Sequence, residues 1–568
     1  MKFSVAQRAI LVAAFGIAAA APAQAMSERE EIQALLARVK KLEAKVAAEE
    51  KKPKTRETLF VKGSEPPVAE DKIVYKGLTI TPGGYIDLSF VRRSNWLGSD
   101  MSTPWSKIPY GFNPWGHTDE FRFSARASRQ SLKVQGDFDP LTHITGYGET
   151  DFQGAAQTAN SNQTNSYNLR IRQMYMNIDR DDWALHFAAG QMWSLSTANS
   201  VGIKPDTSLQ PMVIDQQYLP GYWYARQPGI RVTKDFNKEF WIAFSAESPA
   251  TTWDAPQALP CGAATSVLAT SGLPGVSCFG GTPLARVTTP WALWPAGYAG
   301  PFLTGTPTSG FNTANQYSFN SMPDITGKVA WDATWLPDRK LHIEGWGIVR
   351  EFTDRSLWGN QNVWGGGGGG SVVVEAMPKL LDLWGQVAVG RGIGRYGAAG
   401  LSDATVAISG APLPITERMF LLGAILHPTD VTDVYGYAGG EFQNKNPQYY
   451  GAPGPAPARL PWLVVAGEGN PFYSNLGCNV ENAFANNGAS FGAATAPIGG
   501  AACSGHIKDV KQATGGIWHT FYQGPAGKLR VGFQYSYTKK DGYWSYLGGA
   551  PSAHESQVEG SIRWFPFN

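Results

Sequence analysis

After its first 25 residues the sequence has no run of about 20 apolar residues, the length a helix needs to cross a bilayer. That absence excludes a helical membrane protein. Charge is scarce too: Asp, Glu, Lys and Arg make up 17% of the 568 residues, against about 25% in soluble globular chains. A formal net charge of +2 leaves no excess of either sign for nucleic acid or a strongly acidic partner. There are four cysteines with no CxxC, and the eight histidines do not cluster, so neither a metal site nor a cofactor is expected. Catalytic residues are not expected either. The stretch "GASFG" (488–492) matches G-x-S-x-G, but Ser490 lies in a Gly/Asn/Ala-rich stretch and not at a strand-to-helix turn. "WGGGGGGS" (364–371) lacks a Walker lysine and reads as a flexible, low-complexity loop. Of the carboxylates Glu344, Glu351 and Asp354, the first reads as lumen lining and the other two as exposed loop.

What is present begins with an export signal. Lys2 and Arg8 supply its positive end, "AILVAAFGIAAAA" its apolar stretch and Ala23-Gln24-Ala25 a cleavage site, giving a signal peptide over 1–25. Export suits the cysteines, which fall as two sequence-near pairs, Cys261/Cys278 and Cys478/Cys503, in long Gly/Pro-rich stretches. In an oxidising compartment such pairs read as loop-pinning disulfides worth about 3 kcal/mol each. Within 26–50, Ile32, Leu35, Val39, Leu42 and Val46 form a heptad seam, a short coiled coil suited to chain association. Residues 51–76, rich in Lys, Pro and Glu, read as a linker.

From residue 77 to 568 the pattern changes to strands. In "KLRVGFQYSYTKK" (528–540), Leu529, Val531, Phe533, Tyr535 and Tyr537 alternate with Arg530, Gly532, Gln534, Ser536 and Thr538. Short turns at 137–141, 179–182, 235–239, 336–340, 377–380, 427–430 and 523–528 alternate with longer loops. The loops are read at 92–119, 154–166, 196–225, 249–320, 353–370, 392–413, 444–508 and 540–554. Seven short turns and eight long loops predict an all-β chain of about 16 antiparallel strands. Such strict alternation is the rule of transmembrane β-barrels, not of sandwiches. A charge on the lipid face costs about 2–4 kcal/mol at the midplane, so the apolar face of each strand is assigned to hydrocarbon and the polar face to a watery lumen.

The third long loop, 196–225, carries Lys204, Asp206 and Asp215. Alternation sends Arg122, Arg126, Arg170, Arg172 and Arg231 to the same lumen, with Arg226 at the rim. Guanidiniums stay charged and grip carboxylates with two parallel bonds, so this constellation reads as an arginine-lined constriction favouring small anions. The competing reading has these arginines bracing the wall against Asp87, Glu149 and Asp151.

The stretches "GGYIDLSF" (83–90), "LRIRQMYMNID" (169–179), "AAGQMWSLST" (188–197) and "ARQPGIRVTK" (225–234), with an Arg-rich second strand, resemble trimeric outer-membrane porins of the DcaP-like type. The resemblance implies a homotrimer and passage of small anionic or dicarboxylic compounds. The expected surroundings are outer-membrane lipid and lipopolysaccharide, with the coiled coil in the periplasm. An outer-membrane lipase or protease and a secreted adhesive β protein are the alternatives.

Overall fold

The computed structural model describes residues 73–154, 168–253, 301–303, 318–336, 339–356, 359–407, 411–450, 463–471, 475–479, 503, 505–546 and 548–567. The signal peptide, the heptad residues, Cys261, Cys278 and Ser490 lie outside the described residues. Sixteen strands close into one antiparallel barrel. They are β1 (Leu78–Arg93), β2 (Glu120–Ser124 and Arg129–Asp139), β3 (Thr142–Gly154), β4 (Asn168–Arg180), β5 (Leu185–Trp193) and β6 (Arg226–Phe236). Next come β7 (Phe240–Glu247), β8 (Asp324–Leu336), β9 (Arg339–Ser356), β10 (Gly359–Met377) and β11 (Leu381–Arg391). The circuit ends with β12 (Thr416–Thr429), β13 (Thr432–Gln443), β14 (Ile507–Gly524), β15 (Gly527–Gly542) and β16 (Ser552–Phe565). Each strand pairs with its sequence neighbour, and β1 closes on β16 from Ile86↔Trp564 to Arg93↔Gln557.

Alternation of side chains fixes which face is which. Ile86, Leu88, Phe244, Trp331, Phe533 and Tyr535 are exposed on the outside, while Tyr85, Asp87, Ser89, Trp241, Lys328 and Gln534 are buried inside. An apolar exterior around a polar interior is stable only where the exterior meets hydrocarbon, because closure of the sheet leaves no unpaired strand edge.

Two features depart from the strand pattern read in the sequence. Ile73–Tyr75, taken as linker, forms a short strand folded back on Leu78–Ile80. The loop expected at 353–370 is sheet: β9 and β10 pair continuously from Leu341↔Val374 to Ser356↔Gly359, and the glycine run also pairs with β11. Backbone hydrogen bonds on both sides hold "GGGGGG" as strand, and glycine leaves no alternating side chains to announce it. The bulk it omits is used by aromatic rings, since a Cβ on Gly369 would lie 2.5 Å from the Trp346 ring and one on Gly365 2.7 Å from Phe352. Glu351 and Asp354, expected on an exposed loop, are buried on β9. Glu351 accepts hydrogen bonds from Ser321, Met322 and Asn362.

The two pieces of β2 pair with different halves of β1, Ser89–Arg93 and Thr79–Tyr85. At the break, Gly84 takes φ +119°, where a Cβ would collide with the Arg129 carbonyl. Cys478 and Cys503 are disulfide-bonded and pack with Ile108 and Tyr110 of the first long loop.

Candidate functional site: the barrel constriction

The loop between β5 and β6 (194–225, L3) leaves the wall early and crosses the lumen. Its Leu209, Val213, Ile214, Leu219 and Tyr222 pack on the inward faces of Val373, Trp384, Leu421, Ile425, Tyr435, Tyr437 and Trp518, which line β10 to β14. Each buried side chain of this size contributes about 1.5–3 kcal/mol of transfer energy. Polar contacts fix the position. The Gly221 amide donates to Glu441 at 2.9 Å, the Ile214 amide to Gln534 at 2.7 Å and the Met212 amide to the Tyr437 hydroxyl at 3.0 Å. At the loop's end Trp223 lies between Trp346 and Tyr396, with ring centroids 4.3 and 4.9 Å away. Stacked and tilted aromatic pairs of this kind add about 0.5–1.5 kcal/mol each beyond their burial.

L3 is thus strapped to one side of the barrel, and the arginines stand on the other. Arg172 is sealed from solvent, bonded to Glu149 at 2.5 Å and to Asp151 at 3.0 Å. Arg170, a third exposed, grips Asp151 with two bonds of 2.9 and 2.6 Å. Arg126 lies 3.3 Å from Asp100 of the first loop, and Arg122, more exposed, pairs with Glu120 at 3.3 Å. Arg129 donates to Gln216 of L3 at 3.0 Å and lies over the Tyr85 ring. Bracing therefore occupies Arg170 and Arg172, through Glu149 and Asp151. Asp87 is bound instead by Arg563 at 2.7 Å.

Arg226, like Arg129 and Arg231, has a buried guanidinium nitrogen that meets no acceptor among the described residues. It sits at the base of L3 with its guanidinium over Trp193, 5.2 Å from the centroid, and Arg170 and Arg172 are close enough to repel it. Its buried Nη1 donates to no acceptor among the described residues. Around Asp151 and Glu149 stand the guanidiniums of Arg129, Arg170 and Arg172, three cations for two carboxylates, and Arg226 lies beside Arg170 and Arg172. Burying an uncompensated cation is costly, so this corner of the lumen is disposed to accept an anion.

The remaining residues expected in the constriction are distributed otherwise. Arg231 is buried and donates to the Trp193 carbonyl at 2.6 Å, bracing the point where L3 departs. Lys204 lies 3.4 Å from Asp179 and Asp206 3.9 Å from Lys133, both partly open to the lumen. Asp215 is buried near Arg93, which shares its Thr103 partner, and it accepts hydrogen bonds from Thr103, Gln217 and Gln557.

Sequence reading overlooked a recurrent device near the short-turn end, where single histidines are clamped between carboxylates on neighbouring positions. His186 bridges Asp179 and Asp235, His342 bridges Asp332 and Glu344, and His427 bridges Asp382 and Asp433. The signal is a His paired in register with an Asp across the ladder, as in Asp179↔His186, and it is invisible before register is known. In the turn itself, the Arg180 guanidinium holds the Asp182 carboxyl below the usual carboxylate range. No group of side chains able to hold a metal ion is found among the described residues.

The barrel superposes on the outer-membrane channel DcaP of Acinetobacter baumannii with a TM-score of 0.52, at 13% identity, over 87% of this chain and 99% of that one. The fold is that of a DcaP-like porin barrel. OprB of Pseudomonas putida (TM-score 0.40, 9% identity, 85% of this chain and 94% of that one) and OmpF of Salmonella typhi (0.38, 10%, 87% and 100%) match over similar lengths, too loosely to bear on the fold. No protein-family profile matches the chain, and no curated protein matches it in sequence.

Proposed function

We propose that this chain is a passive outer-membrane channel for small hydrophilic solutes, with a constriction that favours anions and dicarboxylates, and that it works as a homotrimer. The observation that carries the reading is Arg226, a guanidinium in the lumen with a buried donor and no carboxylate partner among the described residues, beside a cluster already richer in cations than anions. A carboxylate passing the constriction would meet Arg226 with the partly exposed Arg170 beside it, and Arg126 is also partly exposed to the lumen. Binding there stays weak enough for release because Asp151 and Asp100 already share those two cations. The DcaP structure is described as an outer-membrane channel, and the common fold supports the same role and membrane here.

The test is swelling of proteoliposomes containing the mature chain. A small dicarboxylate is expected to enter several-fold faster than a neutral sugar of similar size, and Arg226→Gln is expected to remove most of that preference. Equal entry of both solutes into wild-type liposomes would refute the anion reading, and no entry of either would refute the channel.

A further inference from the structure

The outer wall carries a groove that channel function does not need. It runs over β12 to β15, has a volume of about 560 Å³ and is lined by Leu422, Ala424, Gly436, Ala438, Ala513 and Gly515, with Tyr535 and Tyr537 along one side. Register makes it a set of rows. Leu422, Ala438, Ala513 and Tyr537 lie side by side, and one row closer to the short-turn end come Ala424, Gly436, Gly515 and Tyr535. Val434, Ile517 and Phe533 close the bottom.

The floor glycines are not demanded by the barrel itself. A Cβ on Gly436 would meet nothing within 4 Å, and one on Gly515 would come no nearer than 3.7 Å to any neighbour. Neither residue has a positive φ. Glycine within a strand weakens it, and one commonly marks a place where another molecule approaches the backbone.

Directly above the groove, toward the long-loop end, the outward row holds Lys511 paired in register with Lys539. They stand two residues, about 7 Å, beyond Ala513 and Tyr537. The side chains of Lys508, Lys511 and Lys539 are 56%, 41% and 49% exposed, whereas their partners Asp509 and Asp541 are 3% and 19% exposed. Asp509 and Asp541 pair with each other one row nearer the long-loop end and draw the Lys511 and Lys539 ammoniums that way, away from the groove. Arg418, on β12 at the same rim, is exposed and bonded only to neutral Asn444 at 2.7 Å among the described residues. Four cations over two carboxylates leave an excess of two positive charges above an apolar slot.

We infer that this surface binds a phosphate-bearing membrane lipid of the leaflet at the long-loop end, its phosphate on Lys508, Lys511 and Lys539 and an acyl chain in the groove. Charge and apolar surface occur in the vertical order in which such a lipid presents them, and basic residues at a membrane surface attract anionic headgroups.

The experiment uses the purified mature chain in detergent, titrated with diphosphorylated lipid A and with its phosphate-free counterpart, and read by native mass spectrometry. Two variants are compared, Lys508→Gln/Lys511→Gln/Lys539→Gln and the groove-filling Gly436→Phe, with the far-ultraviolet β spectrum as folding control. Wild type is expected to carry the phosphorylated lipid at least tenfold more tightly than either variant does, and more tightly than it carries the phosphate-free lipid. Inorganic phosphate alone is expected not to compete. Unchanged affinity in Gly436→Phe, or equal binding of the two lipids, would overturn the inference. So would a change of oligomeric state in Gly436→Phe without loss of lipid, which would assign the groove to a second copy of the chain.

Discussion

Arg172 on β4 and Glu149 on β3 are joined at 2.5 Å with both side chains sealed from solvent, and Asp151 completes the arrangement at 3.0 Å from the same guanidinium. Such a pair is worth little compared with a well-packed apolar replacement, but removal of one partner leaves a buried charge stranded. Glu149→Ala should therefore lower barrel stability by about 3–5 kcal/mol, read as a shift in the urea midpoint of the detergent-solubilised protein. Glu149→Leu/Arg172→Met should recover most of that loss. A single variant as stable as wild type would show that the ion pair is not the brace proposed.

Trp223 is the fastener that holds the end of L3 against β9, through its rings on Trp346 and Tyr396. Trp223→Ala should cost about 3–5 kcal/mol in local packing. The functional consequence is distinct from general unfolding: single-channel conductance should rise and larger uncharged solutes should pass, because L3 is freed from the far wall. Conductance and solute cut-off identical to wild type would mean that this stack does not set the width.

The glycine run supplies a contrast within one sheet. Gly369→Leu would drive a side chain into Trp346 and the Val387 carbonyl, and should cost about 1–3 kcal/mol or block barrel assembly. Gly345→Ala, whose Cβ would meet nothing closer than 3.9 Å, should assemble normally. Folding yield from urea into detergent reads both. Equal yields would remove the steric explanation for the run.

Most of the barrel was legible because its information is periodic. Phe533, Tyr535 and Tyr537 against Gln534, Ser536 and Thr538 declare a two-faced strand without any knowledge of its neighbours, and turns such as "DRDD" fell within a few residues of the observed connection. Periodicity says nothing where side chains are absent, so Gly365–Gly370 read as loop although both neighbouring strands bond to it. The arginines were placed on lumen-facing positions with Asp87, Glu149 and Asp151 as bracing partners, but which arginine meets which carboxylate was not legible. Which carboxylate meets Arg170, and which is withdrawn to Thr103 as Asp215 is, depends on register and on the path of L3, and both are tertiary. Arg226 opens β6 as the sequence indicated, but its closeness to Arg170 and Arg172 follows from where L3 leaves β5 and was not legible.

A watery passage that runs past a surplus of guanidiniums should pass anions more readily than cations. This is tested most directly by the reversal potential of single channels in a planar bilayer under a potassium chloride gradient. The expected potential has the sign that marks chloride as the more permeant ion, and it moves toward zero in Arg226→Gln. A cation-selective potential, or no channels from correctly folded protein, would contradict it.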